Sequence, residues 1–331
     1  MQNLLINYLE QLQIGRKQSY KNLAVFPLLS KYMVTVDYLT LDEAMSQNAI
    51  DVVEIDKGGS VPELKVINKS DKMILILDGE ELVGAKQNRI VNTTILIAAS
   101  ATTVIPVSCV EQGRWAYTSE KFTSGLRLMS PTIRSIKSED VSLSLSDSGS
   151  YQSDQSAIWR EIRQKAFRRG AVTDSMEMAA IYRKETPAIK EYVDHFKLVD
   201  HQVGVVFLIN GQVVGMDCFG KAQTFSKAYK KLTESYALDA IDMAEKEKKY
   251  KVHKRDAEDL LKKAAGGRIE SHASVGLGTD CRLESKALTG FALAHQNQIL
   301  HLSVFARAVA GDKEDPHSPM ARASLRRRHR L

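Results

Sequence analysis

MILILDGEELVGAKQNRIVNTTILIA, residues 73–98, holds the key to the architecture. Two apolar runs, at 73–77 and 95–98, bracket a polar dozen from Asp78 to Arg89. Short apolar runs bounded by turn residues read as buried strands. Outward on either side, VVEI (52–55), ELKVIN (63–68) and TTVIPVSCVE (102–111) are again rich in Val, Ile and Thr. Gly-Gly, Lys-Ser-Asp and Asp-Gly separate the runs, and these are turn signals. The intervals leave no room for crossover helices, so an antiparallel sheet is expected.

Upstream, Leu4, Leu5, Tyr8, Leu9 and Leu12 recur at helical steps and predict a helix over 3–13. Thr40 is placed to cap a short helix, with Asp42 and Glu43 near the positive end of its dipole. Downstream, residues 135–156 hold nine serines in 22 positions. That composition predicts a mobile loop, a linker or a lid. Val141, Leu143 and Leu145 alternate there in the manner of a short edge strand. Helices are expected over 152–169, stopped by Gly170, and over 174–183 and 187–197, with Pro187 opening the last. VGVVFLINGQVVGMDCFG (203–220) reads as a hairpin turning at Asn210-Gly211. A long helix from Thr224 to Tyr250 and another from Arg255 to Ala265 precede strands near 268–276, 286–294 and 298–306. Strands, then helices, then strands define an α+β protein with a β-rich N-terminal part, a helical middle and C-terminal strands completing the sheets. The expected organisation is an N-terminal helix over 1–20, one domain over 21–306 and a basic disordered tail over 307–331. Within that domain, 21–134 is β-rich, 135–156 is the serine-rich loop and 157–306 is helical and β.

The 331 residues are 44% hydrophobic and 26% charged, which excludes a disordered chain, a collagen-like chain and a disulfide scaffold. The formal net charge is +6, but residues 316–331 hold five arginines and no acid. The remainder is close to neutral, which argues against specific nucleic-acid binding by the body of the protein. Cys109, Cys218 and Cys281 are far apart and form no CxxC, as expected in a reducing compartment. No run resembles a signal-peptide core or a membrane span, so a cytoplasmic protein without membrane association is expected. The histidines form no HExxH, and no metal site is predicted. GLGTD (276–280) has one glycine too few for a dinucleotide fingerprint and reads as a turn. No motif names a cofactor.

Two segments carry more polar function than a strand needs. In the first, Glu80 and Glu81 are neighbours on a strand and point to opposite faces. By the same alternation Gln87 and Arg89 share one face, and Lys86 and Asn88 the other. The second is CVEQGRW, residues 109–115. Glu111 is a proton acceptor, Arg114 can hold a phosphate or carboxylate through two parallel bonds, and Trp115 can stack on a base or sugar. Gly113 permits a close turn. Cys109 reads as a buried, inert thiol. The plainer alternative is a structural ion pair between Glu111 and Arg89 or Arg114, with Trp115 in the core.

LDGEELVGAKQNR (77–89) followed by IPVSCVEQGRW (105–115) resembles the ARG and rhodanese-phosphatase-superfamily-associated protein domain family. The resemblance extends more loosely through YQSDQSAIW (151–159), GQVVGMDCFG (211–220), KLTESYALDA (231–240) and ILHLSVF (299–305), covering roughly residues 23–306. It implies a role near NAD and ADP-ribose metabolism and no defined reaction. Its polar signature falls on Glu80, Glu81, Lys86, Gln87, Asn88, Arg89, Glu111, Gln112, Arg114 and Trp115. Side-chain chemistry makes Glu111, Glu80 and Glu81 the candidate acid–base residues. It makes Lys86, Gln87, Asn88, Arg89, Gln112, Arg114 and Trp115 candidate contacts to a phosphorylated, nucleotide-like ligand. The expectation is a ligand-binding protein or an enzyme, such as a hydrolase of a nucleotide or ADP-ribose derivative, and the alternative is a non-catalytic binding or interaction module beside ADP-ribose-processing enzymes. A weaker expectation is non-specific nucleic-acid binding through the tail.

Overall fold

The computed structural model describes residues 1–56, 58–245 and 248–307, so the expected tail beyond Arg307 lies outside the described residues. Helix α1 (Gln2–Glu10) buries Leu5, Tyr8 and Leu9. Strands β1 (Gln13–Ile14) and β2 (Gln18–Tyr20) both pair with β3 (Leu23–Leu29). β4 (Tyr38–Thr40) runs into α2 (Leu41–Ser46), where Thr40 and Glu43 form a reciprocal capping box. Eight strands follow: β5 (Ile50–Val53), β6 (Glu63–Asn68), β7 (Met73–Ile76), β8 (Glu80–Gly84), β9 (Arg89–Val91), β10 (Ile95–Ile97), β11 (Thr102–Cys109) and β12 (Phe122–Leu128).

These strands form two sheets. One is antiparallel throughout, in the order β12-β8-β9-β11-β6-β5. Its edge strands β12 and β5 approach each other. The sheet therefore curls around an apolar interior that includes Leu41, Val52, Leu64, Ile76, Leu82 and Val91. The other sheet has the order β10-β7-β4, and β4 pairs parallel with β7. The parallel pair departs from the antiparallel expectation. It is possible because α2, β5 and β6 lie between β4 and β7 and give the chain length to return.

Helices α3 (Pro131–Ser148), α4 (Gln155–Arg169) and α5 (Met178–Asp194) precede the hairpin β13 (Gln202–Ile209) and β14 (Gln212–Phe219). Asn210 and Gly211 both take positive φ at its turn. Then come α6 (Ala222–Asp242), α7 (Lys254–Ala265), β15 (Arg268–Ala273), β16 (Thr279–Glu284), β17 (Leu288–His295) and β18 (Gln298–Ala306). The last six strands join β1, β2 and β3 in a nine-stranded antiparallel sheet. One face packs against α1 and α7 through Leu5, Leu9, Leu28, Leu260 and Leu302. The opposite face packs against α5 and α6 through Tyr192, Phe207, Phe219, Leu232 and Tyr236. The protein is thus α+β.

Several local expectations are corrected. The serine-rich segment is not a loop or an edge strand: residues 135–148 belong to α3, which ends at Gly149 with φ 69. Val141 and Leu145 lie four residues apart on its buried face, while Leu143 is exposed. Ser135, Ser138 and Ser142 are also buried, and their small side chains let the helix sit close to its neighbours. The two helices expected either side of Pro187 are the single α5. Ile181, Tyr182, Ile189 and Tyr192 form one buried face through the proline, and Thr186 Oγ1 donates to the Tyr182 carbonyl beside it. α6 stops at Asp242, short of Tyr250, where the buried stripe ends. β16 was hidden because Asp280 and Arg282 alternate with Cys281 and Leu283, yet all four are buried.

α3 lies where the two halves meet, and its polar residues are the fastening. The Arg134 Nε donates to Asp78 Oδ2 at 3.1 Å, and its Nη2 donates to Asp217 Oδ1 and Ser303 Oγ, each at 2.9 Å. Lys137 pairs with Asp78 and donates to the carbonyls of Val91 and Asn92. The Tyr236 hydroxyl donates to Asp217 at 3.1 Å. Thr94 Oγ1 accepts from the Asp78 amide and lies 2.7 Å from His301 Nδ1. Burial works against the Asp217 carboxylate, but Arg134 and His301 outweigh it and hold the group well below the usual range. Replacing Arg134 by Met strips the buried Asp217 carboxylate of its guanidinium, while Asp78 keeps Lys137. The expected loss is about 3–5 kcal/mol of unfolding free energy in urea titration. A loss under about 1 kcal/mol, smaller than an ordinary core substitution, would show that the two halves do not depend on this ion pair.

Candidate functional site at the end of the N-terminal sheets

The two polar segments meet because β9 and β11 are neighbours, with Arg89 opposite Cys109. Between β8 and β9 the backbone turns through Ala85, which has φ 41. Strand alternation therefore fails across 85–88, and Lys86 and Arg89 reach the same indole. The Lys86 Nζ lies 5.0 Å and the Arg89 Cζ 5.8 Å from the Trp115 ring centre. Lys86 Nζ also lies 5.2 Å from the Tyr117 ring and donates to the Gly58 carbonyl. The turn after β11 is possible only with glycine at 113, because a Cβ there would lie 2.4 Å from the Asp174 carbonyl oxygen.

Hydrogen bonding separates the candidates. Arg114 is committed: Nη2 donates to Glu111 Oε2 at 2.6 Å and Asn88 Oδ1 at 3.1 Å, and Nη1 donates to the carbonyls of Ala85 and Ala116. Glu111 Oε2 also accepts from the Asn88 amide at 3.1 Å. Gln87 Nε2 donates to the Glu111 carbonyl, and Gln87 Oε1 accepts from Arg89 Nη1 at 3.1 Å. Gln112 accepts from Arg163 of α4 at 2.7 Å. Arg89 differs: it is fully buried, yet its Nε and Nη2 have no hydrogen-bond partner among the described residues. Burial presses its pKa downward. Glu54, just past β5, faces the same spot. Its Oε1 accepts from the Lys86 amide at 3.4 Å, and its buried Oε2 has no hydrogen-bond partner among the described residues.

The three candidate carboxylates separate. Glu80 is buried in an ion pair with Lys231, which also holds Asp42, and accepts from the Leu77 amide at 2.7 Å. It is part of the packing of α6 rather than of this cluster. Glu81 stands opposite Ile90, whereas Arg89 stands opposite Leu82. Glu81 and Arg89 therefore leave opposite faces of the β8–β9 pair. Cys109 donates to the Glu111 carbonyl, and burial pushes its thiol up. Its backbone is clamped by Gln155, whose amide accepts from the Cys109 N–H and donates to the Cys109 carbonyl, both at 2.7 Å. Among the described residues no group of three His, Cys, Asp or Glu is placed to hold a metal ion.

Sequence reasoning missed Glu54 and Tyr117. Tyr117 lies two residues beyond Trp115 in the loop between β11 and β12, and both rings reach Lys86. Glu54 carries a weaker signal, as the one charged residue of VVEI.

The fold and site define an α+β protein with a buried cationic cluster under an aromatic pair at one end of a curled sheet. A family model described as the ARG and Rhodanese-Phosphatase-superfamily-associated Protein domain matches residues 11–305, and the chain belongs to that family. The match begins before the stretch that carried the resemblance and takes in β1 and β2. Comparison with curated proteins and with solved structures finds no match. No helix of the described residues is long and apolar enough to cross a membrane.

Burial raises the Glu81 carboxyl to about 7, against the opposing influence of Arg127. Its Oε1 has no hydrogen-bond partner among the described residues. In an unfolded chain the proton leaves near the ordinary value of 4.5. Between those values the folded state holds the extra proton, so this group's contribution to stability falls as pH rises from about 4.5 to about 7. Glu81→Gln removes that slope. The variant should gain about 3 kcal/mol on the wild type between pH 4 and pH 8, at about 1.4 kcal/mol per tenfold change in the proton equilibrium. Parallel stability curves for the two proteins across that range would refute the raised carboxyl.

Proposed function

We propose that the protein binds a small phosphorylated, nucleotide-like ligand at the Arg89 cluster. The observation that carries this reading is the guanidinium of Arg89. Arg134, Lys137, Lys165 and Arg282, also deeply buried, each have a carboxylate within 3.1 Å. Among the described residues Arg89 has no such pair, and the neutral Gln87 is its side-chain partner. An uncompensated buried cation is costly. The two unpartnered nitrogens, Nε and Nη2, form one edge of the planar group, the edge that can engage two oxygens of a phosphate in parallel. Lys86 adds a second positive charge, and Trp115 and Tyr117 offer faces for a ring. The half-exposed indole of Trp115 is the natural reporter of ligand entry.

Binding is favoured over turnover. Glu111 and Arg114 satisfy each other, the Cys109 thiol is buried, and Glu81 faces away from Arg89. The ARG in the family description makes ADP-ribose the first ligand to test, and a module that holds such a ligand beside its processing enzymes fits the reading.

ADP-ribose in large excess should raise the melting temperature by several degrees, since a ligand at 100 times its Kd adds about 2.7 kcal/mol. Arg89→Met should abolish that shift while leaving the ligand-free melting temperature unchanged or higher, because a charge without a partner has been removed. If ADP-ribose, NAD, AMP and inorganic phosphate all leave wild-type melting and Trp fluorescence unmoved, the proposal is wrong.

A further inference from the structure

We infer that Glu54 is a specificity residue that reads a sugar hydroxyl of the bound nucleotide, an assignment that rests on the binding reading above. Glu54 is only 7% exposed, and its Oε2 is buried without a hydrogen-bond partner among the described residues. A buried carboxylate oxygen in that state calls for a donor, and a bound ligand can supply it. Its position says which part of a ligand supplies the donor. Lys86 Nζ and Glu54 Oε2 both close on Gly59: the place a Cβ there would occupy lies 3.4 Å from the one and 3.5 Å from the other, so the two polar ends flank the same stretch of backbone. The donor therefore sits next to the group that Lys86 and Arg89 hold. In a nucleotide the group beside the phosphate is the ribose.

Charge narrows the donor further. Lys86 and Arg89 bring two positive charges and Glu54 one negative charge to the cluster, while Glu111 and Arg114 cancel in their 2.6 Å ion pair. Among the described residues the cations outnumber the carboxylate before a ligand enters, so a ligand ammonium would add to the excess that its own anion must offset, whereas a hydroxyl adds no charge. The cluster thus matches a molecule that carries an anion and, several bonds away, an uncharged O–H donor. A simple inorganic anion fills only half of it.

Titration calorimetry on the full chain, with defined probes, tests this. Wild type should bind AMP roughly ten- to a hundredfold more tightly than 2′,3′-dideoxy-AMP, the range for a hydrogen bond to a charged group. Glu54→Gln should compress that ratio to within about threefold, chiefly by weakening AMP. Ribose 5-phosphate, which has no base, should weaken in the same variant. The comparison of AMP with 2′,3′-dideoxy-AMP needs no variant and stands even if Glu54→Gln folds poorly. Equal affinity of wild type for those two overturns the role of Glu54 and leaves the anion site intact. A ribose 5-phosphate affinity unmoved by Glu54→Gln places the donor on the base and also overturns it. No binding of any phosphorylated probe overturns the site itself.

Discussion

Asp78 stands at the entrance to β8, and Asp217 lies on β14 in the nine-stranded sheet. One guanidinium, that of Arg134, joins them with both side chains fully buried. Two carboxylates and a cation taken from water are costly unless their geometry is complete. Here Ser303, Tyr236, Lys137 and the carbonyls of Val91 and Asn92 complete it. The link fixes α3 between the two halves and sets the turn at Asp78. From that turn β8 and β9 run to the cluster around Arg89. Placement of the candidate site therefore follows from a charge bridge at the opposite end of the same strands.

β7, β9 and β10 were legible because both of their faces are covered, and two-sided burial leaves apolar runs in the sequence, whereas β5 and β6 showed the two-residue alternation of a strand with one covered face. α3 was not legible. Its serines signal a loop only when neighbours are ignored, and its arginine and lysine are buried through partners more than 40 residues away. β16 failed in part for the same reason: Arg282 and Asp280 neutralise each other two residues apart, and the contacts that let both be buried come from Thr93, almost 190 residues away. Local composition cannot report a charge whose counter-charge is contributed by a distant segment.

The site was legible as a place and less so as an assignment of roles. Adjacent strands had to bring 86–89 and 111–115 together once the sheet was antiparallel. Arg89 and Arg114 are the same residue type in similar surroundings, and only their acceptors tell them apart. Arg114 braces the loop through Glu111, Asn88 and two carbonyls, while Arg89 retains an open edge. Likewise Glu80 and Glu81 share a motif but serve different faces, the one holding Lys231 and the other beside Arg127. The strength of a side chain as a candidate lies in what it has not yet satisfied.

The clamp of Gln155 on Cys109 has a bearing on the sheet as a whole. β6 pairs with β11 as far as Pro106, so the outer side of Cys109 lacks a neighbouring strand. A carboxamide has the donor and acceptor of a peptide unit, and Gln155 presents both at 2.7 Å. One helical side chain thus imitates the missing backbone and occupies the position where a foreign strand would otherwise dock. The protein closes this stretch of rim against unwanted β-addition with a single amide from α4.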